Sequence, residues 1–492
     1  MTLPQMLQAV PAASLPPVPV AGLQYDSRRI APGEVFFAFP GENVDGHQFI
    51  GQAVERGASA IVSERGPVES ARPPWVQVPH GRQALALAAL AFYGFPDRRL
   101  LLTGVTGTNG KTTTVYLSDS VLRAAGFTTA LLGTIQYQVA GRCFPAVNTT
   151  PESLDLIRHL VDLEQHGGTH ATFEVSSHAL ELRRVFGLQF HTVVFTNLTR
   201  DHLDFHQVMG NYAAAKRRLL EGAGGPTPRF AVINHDDPWG RKWEKLGGFQ
   251  LLTFGLRRGA SIIASRLCCD FGGVRFTAST PAGRFPVSSP LLGRINALNM
   301  LAAIGVGLSY RLSPDVIARG IENCAPVPGR LEPVVEGQPF AVAVDYAHTD
   351  DALRQVIAAA RQLASSGQPP GRVLTVFGCG GDRDRSKRPL MGEAAGSLSD
   401  LVILTSDNPR SEDPLKIIED AVAGLQRVNA RYRVEPDRAA AIRLAIREAR
   451  AGDFLLLAGK GHETYQQVGS RRLPFDDRQV AREAMRELGY GL

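Results

Sequence analysis

The sequence predicts an α/β protein with three domains: a central parallel-sheet domain between a small N-terminal α/β domain and a C-terminal Rossmann-like domain. A chain of 492 residues exceeds one ordinary core, so about two to four domains are expected. Strand-like apolar runs alternate with helical spacing along most of the chain, which favours parallel sheets. Phe95-Pro96-Asp97 and Val327-Pro328-Gly329 interrupt this pattern, because proline stops a preceding helix. We therefore expect domains at residues 1–98, 99–329 and 330–492.

The N-terminal domain combines short strands with helices between residues 21 and 98. The predicted strands are Val35–Phe39, Ala60–Ser63 and Trp75–Val78. The predicted helices are Phe49–Arg56 and Arg82–Tyr93. Together they form one small α/β unit.

The central domain begins with continuous apolar runs, which are typical of buried parallel strands. These strands are predicted at Leu100–Val105, Thr129–Gly133, Thr172–Val175, Val193–Asn197 and Phe230–Asn234. Residues 250–290 differ, since short alternating runs with glycine turns predict an antiparallel flap there. Its predicted strands are Ser261–Leu267 and Val274–Ala278, and a helix of small and apolar residues follows at Ala297–Leu308.

A phosphate loop, Gly104–Thr113, lies between the first central strand and the next helix. Its glycines let backbone N–H groups approach a polyphosphate, and the helix N-terminus adds partial positive charge. Lys111 can reach the terminal phosphates, and the Thr112 hydroxyl can bind Mg²⁺. Val105 stands where the strict motif has glycine. The pattern predicts a P-loop, ATPase-like domain that binds a nucleoside triphosphate.

The C-terminal domain has four apolar runs that each end in a polar loop. These pairs are Phe340–Val344 before Asp345–Thr349, Val373–Phe377 before Gly378–Asp384, Leu401–Thr405 before Ser406–Arg410, and Phe454–Leu457 before Ala458–Glu463. Helices are predicted at Asp351–Leu363, Pro414–Val428, Arg438–Arg450 and Arg478–Leu488. Since ligands bind outside the carboxyl ends of parallel strands, the four loops predict a binding surface.

Composition limits the classes of partner and compartment. A net charge of +6 fits anionic small molecules, and the chain lacks the basic runs with interleaved aromatics that favour nucleic acid. The N-terminus lacks a basic start and a long apolar core, so we expect no signal peptide, and no run is apolar enough to span a bilayer. Five scattered cysteines without zinc spacing indicate a reducing cytoplasm. Cys379 has no obvious base partner, so we interpret it as structural rather than nucleophilic.

Four further residues in the central domain have alternative interpretations. Glu174 ends a strand and could hold Mg²⁺ beside the phosphate loop, although a lone strand-end glutamate is usually a cap or an ion-pair partner. His202 and His206 have the i, i+4 spacing of one helix face. That spacing invites a zinc site, but neither HExxH nor a third ligand accompanies it. By composition alone, Lys216 is a solvated helix lysine.

Six segments in order resemble the Mur ligases, the ATP-dependent amide-forming enzymes of peptidoglycan synthesis. They are Gly104–Thr113, Glu174–Leu180, Thr196–His206, Gly293–Asn296, Pro328–Arg330 and Asp345–Thr349. The resemblance covers nearly the whole chain. Tyr25–Arg28 and Gly459–Glu463 are similar to the members that add 2,6-diaminopimelate.

The resemblance implies an ATP and Mg²⁺ site with Lys111, Lys216, His202 and Glu174 as catalytic residues. The implied ATP contacts are Gly107, Thr108, Asn109, Gly110, Lys111, Thr112, Thr113, Asn296, Arg330 and Asp345. The implied metal ligands are Thr112, Glu174, His202 and Lys216 as a carbamate. A carbamate suits this position because an ammonium would repel Mg²⁺, whereas a carbamate offers anionic oxygens.

The resemblance also implies UDP-N-acetylmuramoyl-L-alanyl-D-glutamate as the acceptor. Its implied contacts are Ser27, Glu42, Asn43, Val44, Asn148, Thr149, Thr150, Ser176 and Arg184. Two positions depart from the family pattern. Leu182 stands where some members carry a substrate-contacting glutamine, and Asp350 replaces a common proline.

The second implied substrate is meso-diaminopimelate, which is lysine with a carboxylate added at its far end. Its implied contacts are Arg383, Asp407, Asn408, Pro409, Arg410, Gly459 and Glu463. A guanidinium binds a carboxylate through two parallel hydrogen bonds, so Arg410 suits diaminopimelate. Glu463 suits the distal ammonium. Lysine-adding relatives lack this arginine.

Four alternatives remain at this level. A lysine-adding ligase would differ in its preferred amino acid, and a folate polyglutamate synthase would have no reason to carry the N-terminal domain. A nucleotide-gated binding protein would release no phosphate, and a P-loop phosphotransferase would need no amine. The expected form is a cytoplasmic monomer with small-molecule substrates. The proton acceptor for the attacking amine stays open between His348 and a carboxylate.

Overall fold

Parallel sheets flanked by helices organise the chain in a computed structural model that describes residues 1–10, 15–41, 44–67, 73–365 and 370–491. The predicted α/β class is confirmed, with one such sheet in each of the three predicted domains. The domain boundaries after residues 98 and 329 stay predictions. In the described ranges, no helix is both long enough and apolar enough to cross a membrane.

The N-terminal sheet has the all-parallel order β1-β2-β3-β4. Its strands are β1 Gly22–Gln24, β2 Glu34–Ala38, β3 Ala60–Ser63 and β4 Trp75–Gln77. Its helices are α1 Leu3–Met6, α2 Ile50–Glu55 and α3 Gly81–Phe92. The buried face of α3, including Leu85 and Ala88, belongs to a hydrophobic cluster that continues into the central domain. A part-buried ion pair of 2.7 Å between Arg82 and Glu152 crosses the same junction.

The central sheet has the order β15-β14-β13-β12-β11-β10-β5-β9-β6-β7-β8. Its strands are β5 Leu101–Thr106, β6 Thr129–Leu132, β7 Gln136–Val139, β8 Arg142–Pro145, β9 His170–Glu174, β10 Thr192–Phe195, β11 Phe230–Asn234, β12 Gln250–Gly255, β13 Ile262–Asp270, β14 Gly273–Thr280 and β15 Gly283–Ser289. Its helices are α4 Lys111–Ala124, α5 Ser153–Gln165, α6 Ser177–Glu181, α7 Leu203–His206, α8 Met209–Leu220, α9 Pro238–Trp243, α10 Arg294–Ser309 and α11 Pro314–Glu322.

The middle strands of this sheet are parallel and buried, as their continuous apolar runs predicted. The predicted antiparallel flap at residues 250–290 is confirmed for β13, β14 and β15, whose pairings are antiparallel. It is wrong for Gln250–Gly255, because β12 pairs parallel with both β11 and β13 and so extends the parallel sheet. Strands β5, β9 and β10 are neighbours, so the segments that follow them meet at one edge of the sheet.

The C-terminal sheet has the order β16-β17-β21-β18-β19-β20, with β16 antiparallel to β17. Its strands are β16 Glu332–Pro333, β17 Ala341–Asp345, β18 Val373–Phe377, β19 Leu401–Leu404, β20 Tyr432–Val434 and β21 Phe454–Ala458, and a separate hairpin consists of β22 Tyr465–Val468 and β23 Arg471–Pro474. Its helices are α12 Asp350–Ala364, α13 Lys387–Leu398, α14 Pro414–Arg427, α15 Arg438–Glu448 and α16 Asp477–Glu487. Since β17, β21, β18 and β19 are adjacent and parallel, their four polar loops share one edge, as the sequence predicted.

Helix α13 follows β18 but was not predicted from the sequence. It contains Pro389, Gly392 and Gly396, which are unfavourable or weak helix formers. Packing explains the glycine at 392, because a Cβ there would lie 2.2 Å from the carbonyl oxygen of Ala421 on α14. The helix therefore depends on close contact with its neighbour rather than on its own helix propensity.

Candidate active site

The phosphate loop joins β5 to α4 and requires glycine at two positions. Gly107 has φ +148°, and a Cβ there would lie 1.9 Å from Thr196 Oγ1. Gly110 has φ +84°, and its Cβ would lie 2.5 Å from Asn299 Oδ1. Lys111 folds back over the loop, where Nζ donates hydrogen bonds to the carbonyl oxygens of Gly107 (3.0 Å) and Thr108 (2.8 Å). The backbone of the phosphate loop therefore curves around the Lys111 ammonium.

Lys216 on α8 lies against the same loop. Its side chain is 1 % exposed, and Nζ donates a 2.7 Å hydrogen bond to the carbonyl oxygen of Gly107. Burial, with the nearby Lys111 ammonium, holds the pKa of Lys216 well below its usual value. The interpretation of Lys216 as a solvated lysine is therefore wrong. Composition could not reveal this, since the contact is made with a loop more than a hundred residues away.

Glu174 ends β9 as a buried carboxylate beside the loop. Its Oε1 accepts a hydrogen bond from the backbone N–H of Thr134 (2.9 Å), and Oε2 accepts one from the Thr134 hydroxyl (3.2 Å). The close approach requires glycine at 133, where a Cβ would lie 2.5 Å from Glu174 Oε1.

His202 precedes α7 rather than lying on it. Its backbone is left-handed, with φ +52°, so His202 and His206 do not share a helix face and that expectation from their spacing is wrong. The His178 ring contacts both, with centroids 4.8 Å from His202 and 5.6 Å from His206. Burial lowers the pKa of His202 to about 3, which leaves a neutral imidazole. In the described ranges, no group of three or more His, Cys, Asp or Glu is arranged to hold a metal ion.

A cavity of about 250 Å³ lies between the central and C-terminal domains. It brings together most of the predicted nucleotide residues with several others: Thr108, Asn109, Gly110, Lys111, Thr112, Thr113, Thr149, Glu174, Ser176, Asp201, His202, Asn296, Asn299, Arg330, Asp345, Tyr346 and His348. Arg330 Nη2 donates to the Thr112 hydroxyl (3.1 Å), and its guanidinium lies 4.9 Å from the Tyr346 ring centroid.

Two of the predicted nucleotide residues are fixed by local hydrogen bonds. Asp345 accepts backbone hydrogen bonds of 2.8 Å from Leu331 and Ala347, and burial raises its pKa. Asn296 on α10 donates a 2.7 Å hydrogen bond to the carbonyl oxygen of Leu292. Both side chains therefore hold their orientation at the cavity wall.

Direct contacts join the two domains around this cavity. Asp351 Oδ2 on α12 accepts hydrogen bonds from Asn109 Nδ2 (2.9 Å) and Thr199 Oγ1 (2.8 Å). Lys387 on α13 forms a 2.7 Å ion pair with Asp201. Sequence reasoning missed both residues: Asp351 has the appearance of an ordinary residue in a first helical turn, and Lys387 lies in a helix that the sequence did not predict.

Four of the residues predicted to contact the amino-acid substrate lie close together, and we call them the amino-acid cluster: Asp407, Asn408, Gly459 and Glu463. Asn408 Nδ2 donates to Glu463 Oε2 (2.8 Å), and a Cβ at Gly459 would lie 2.7 Å from Asp407 Oδ2. The cluster adjoins the interdomain cavity, because a Cβ at Gly461 would lie 2.6 Å from the Tyr346 Cβ. The loops after β17, β19 and β21 thus meet, as their shared sheet edge requires.

Arg410 lies beside this cluster with a left-handed backbone, φ +52°. Its N–H donates to the carbonyl oxygen of Gln467 in β22 (3.1 Å), and its own carbonyl oxygen accepts from Gly469 (2.7 Å). Its Nη1 donates to the carbonyl oxygen of Gly381 (2.6 Å). Pro409 is adjacent, and Arg383 is exposed on the loop after β18.

The predicted acceptor residues fall into two groups. Thr149 and Ser176 line the cavity, whereas Thr150, Asn148 and Arg184 do not. Two of these three connect to the lining: the Thr150 hydroxyl accepts a hydrogen bond from Ser176 N–H (3.1 Å), and Arg184 donates to the Thr150 carbonyl oxygen (3.3 Å). Ser27 and Val44 lie in the N-terminal domain and do not line the cavity. There, the Ser27 hydroxyl bonds Gln52 (2.6 Å) and Val44 is exposed. Glu42 and Asn43 lie outside the described residues.

The fold and this site define a Mur ligase, and the chain belongs to that family. The family model of the Mur ligase middle domain matches residues 105–307, that of the Mur ligase glutamate ligase domain matches residues 329–461, and that of the Mur ligase family catalytic domain matches residues 19–93.

Individual proteins show which type of Mur ligase this chain is similar to. The chain is 58% identical over 479 residues to the UDP-N-acetylmuramoyl-L-alanyl-D-glutamate–2,6-diaminopimelate ligase of Solibacter usitatus, covering 97% of this chain and 96% of that protein. It is 47% identical to the ligase of the same name from Geobacillus thermodenitrificans, covering 95% of each. A solved structure of a ligase with this name matches with a TM-score of 0.69 at 32% identity, covering 100% of this chain and 99% of that one.

Proposed function

We propose that this chain is an ATP-dependent ligase that joins meso-2,6-diaminopimelate to the D-glutamate of UDP-N-acetylmuramoyl-L-alanyl-D-glutamate in peptidoglycan precursor synthesis. One observation carries the proposal: the phosphate loop lines an interdomain cavity, and the amino-acid cluster adjoins that cavity through the contact of Gly461 with Tyr346, in a chain 58% identical to a ligase of that name. We expect it to act as a monomer in the cytoplasm.

ATP is needed because a carboxylate is a poor acyl donor. In the proposed first step, an oxygen of the D-glutamate γ-carboxylate attacks the γ-phosphorus, ADP leaves and an acyl phosphate forms. The diaminopimelate amine then attacks the acyl carbon, and inorganic phosphate leaves from the tetrahedral intermediate. Lys111 and the N-terminus of α4 stabilise the charge that spreads over the transferred phosphoryl group. The C-terminal wall of the cavity excludes water that would hydrolyse the acyl phosphate.

The donors at the cavity suit Mg²⁺, which prefers oxygen ligands. Thr112, Glu174 and the neutral His202 would hold it, with Lys216 as a carbamate. When bound, Mg²⁺ neutralises phosphate charge. The lowered pKa of Lys216 supports the carbamate, because only the neutral amine attacks carbon dioxide, losing a proton as the N–C bond forms. The product would replace a second ammonium beside Lys111 with anionic oxygens.

The attacking amine must lose a proton, and we propose His348, which lines the cavity, as the acceptor. Its Nδ1 lies 2.8 Å from the carbonyl oxygen of Tyr346, to which only a protonated nitrogen can donate. In the neutral ring, Nε2 is then the nitrogen that accepts a proton.

The decisive experiment is nucleotide turnover with UDP-N-acetylmuramoyl-L-alanyl-D-glutamate and a panel of amino acids. We expect one ADP, one phosphate and one amide per cycle, with diaminopimelate preferred over lysine. Lys111→Ala serves as the inactive control. Preference for lysine would indicate the lysine-adding ligase. A lack of phosphate release would indicate a binding protein, and a stable phosphorylated acceptor without an amine would indicate a phosphotransferase.

A further inference from the structure

Lys460 places a buried ammonium inside the amino-acid cluster. Its side chain is 0 % exposed, on the loop that follows β21. Its Nζ lies 3.1 Å from Asn408 Oδ1, 3.3 Å from Glu463 Oε2 and 3.6 Å from Asp407 Oδ1. A buried ammonium is tolerated only where acceptors surround it, and here they are the side chains expected to meet the amino-acid substrate.

The Lys460 ammonium determines which way the Asn408 amide points. Asn408 Oδ1 accepts hydrogen bonds from Lys460 Nζ and from the backbone N–H of Gln467 (2.9 Å), while Nδ2 donates to Glu463 Oε2. If the amide were turned over, its NH₂ would face two donors and its oxygen would face a carboxylate. Lys460 therefore opposes the reversed orientation.

Lys460 also determines which oxygen of Glu463 is occupied. Oε2 accepts from both Asn408 and Lys460, whereas Oε1 accepts no hydrogen bond from any residue in the described part of the chain. The side chain of Glu463 is 16 % exposed. One carboxylate oxygen is therefore held, and the other is left for a donor outside the protein.

The charges of this region agree with that arrangement. Asp407 and Glu463 carry two negative charges and Lys460 one positive charge, which leaves one net negative charge. The buried pair of Arg438 and Asp477, 2.7 Å apart, cancels itself. A single net negative charge matches one substrate ammonium, while Arg410 stands beside it for a carboxylate.

We propose that Lys460 is a positioning residue: by holding Asn408 and Glu463, it prepares the cluster for an ammonium group of the incoming amino acid. The inference rests on the proposed function. We therefore expect substitution of Lys460 to weaken binding of the amino acid and to leave binding of the nucleotide unchanged.

Steady-state kinetics of Lys460→Gln test this assignment. We expect KM for diaminopimelate to rise roughly tenfold or more, since hydrogen bonds to charged groups are lost, with KM for ATP within about twofold of the unchanged protein. Lys460→Arg, which keeps the charge and the donors, should recover much of the loss. The matched control is Lys416→Gln, an exposed lysine on α14, which should behave as the unchanged protein. An unchanged KM for diaminopimelate, or equal rises in both KM values, would overturn the assignment.

A double variant covers the case in which Lys460→Gln does not fold. Lys460→Gln with Asp407→Asn removes one charge of each sign and keeps the net charge of the cluster. Asp407 belongs to the cluster itself, so Asp407→Asn alone is the reference for the double variant. If orientation is the role of Lys460, the double variant folds and its KM for diaminopimelate exceeds that of Asp407→Asn. If its KM does not exceed that of Asp407→Asn, Lys460 only balances charge and the proposal is wrong. Failure of the proposed ligase function can be told apart from failure of the Lys460 proposal. In the first case the unchanged protein itself would form no amide with diaminopimelate.

Discussion

Replacing Arg410 by lysine separates the shape of the guanidinium from its charge. The proposed role of Arg410 is to bind the distal carboxylate of diaminopimelate through two parallel hydrogen bonds. Lysine keeps the positive charge but presents a point donor. Because residue 410 already has φ +52°, both side chains experience the same backbone conformation, and the difference between the variants reports on the side chain.

The contacts of Arg410 limit how far kcat/KM for diaminopimelate can fall in Arg410→Lys. Arg410 Nη1 is already bonded to the Gly381 carbonyl oxygen, so the remaining N–H groups of the guanidinium are the ones available to a substrate. Losing one hydrogen bond to a charged group costs about 1.5–3 kcal/mol. At about 1.4 kcal/mol per factor of ten, kcat/KM for diaminopimelate should fall roughly 10- to 100-fold. Lysine as substrate lacks the carboxylate, so its kcat/KM should change little.

Phosphate release with diaminopimelate and with lysine, measured in parallel, gives the ratio of the two kcat/KM values. The control is Arg471→Lys, an exposed arginine on β23, which should leave the ratio unchanged. If Arg410→Lys discriminates as well as the unchanged protein, the specificity resides elsewhere and the reasoning about Arg410 is refuted.

Three further outcomes are expected. Lys111→Ala should reduce ATP turnover by more than about a hundredfold with an intact fold by circular dichroism, because the charge on the transferred phosphoryl group loses the Lys111 ammonium as its counter-ion; near-normal turnover would contradict the role of the loop. Lys216→Ala should be inactive and partly restored by added formate or acetate, whose carboxylates replace the carbamate oxygens; a folded variant without rescue would argue against carbamylation. Burial lowers the pKa of His170 from 6.5 to about 4, so the folded state binds fewer protons than the unfolded state and stability is lost as pH falls through that range. In His170→Phe, whose new ring can stack on Phe127, the melting temperature should fall less steeply between about pH 7 and pH 4 than it does in the unchanged protein. If the two proteins show the same slope, His170 is not a source of the pH dependence of stability.

Strands that consist of a continuous apolar run were predictable from the sequence, because a strand buried on both faces has apolar residues at successive positions. Val373–Phe377 and Phe230–Asn234 coincide with the observed strands β18 and β11. The hairpin of β7 and β8 was not predicted, since its second strand is largely exposed and short. Its existence depends on pairing with β6 at the sheet edge, which local sequence does not encode.

The nucleotide-binding residues were predictable from the sequence where they belong to one short motif. The phosphate loop is such a motif, because its glycines are required by contacts close in space and visible in sequence. Lys216 and Asp351 act through partners 109 and 242 residues away, so their neighbours along the chain gave no signal. Resemblance to a known family identified Lys216, but Asp351 required the structure.

The contacts of Asp351 have a consequence for the end of the catalytic cycle. This carboxylate belongs to the C-terminal domain, yet it bonds Asn109 of the phosphate loop and Thr199 of the segment after β10. Any separation of the two domains must break both bonds together. The energy needed to release spent nucleotide therefore includes these two protein–protein bonds, and the opening rate of the cleft should depend on a residue that is not part of the cavity lining.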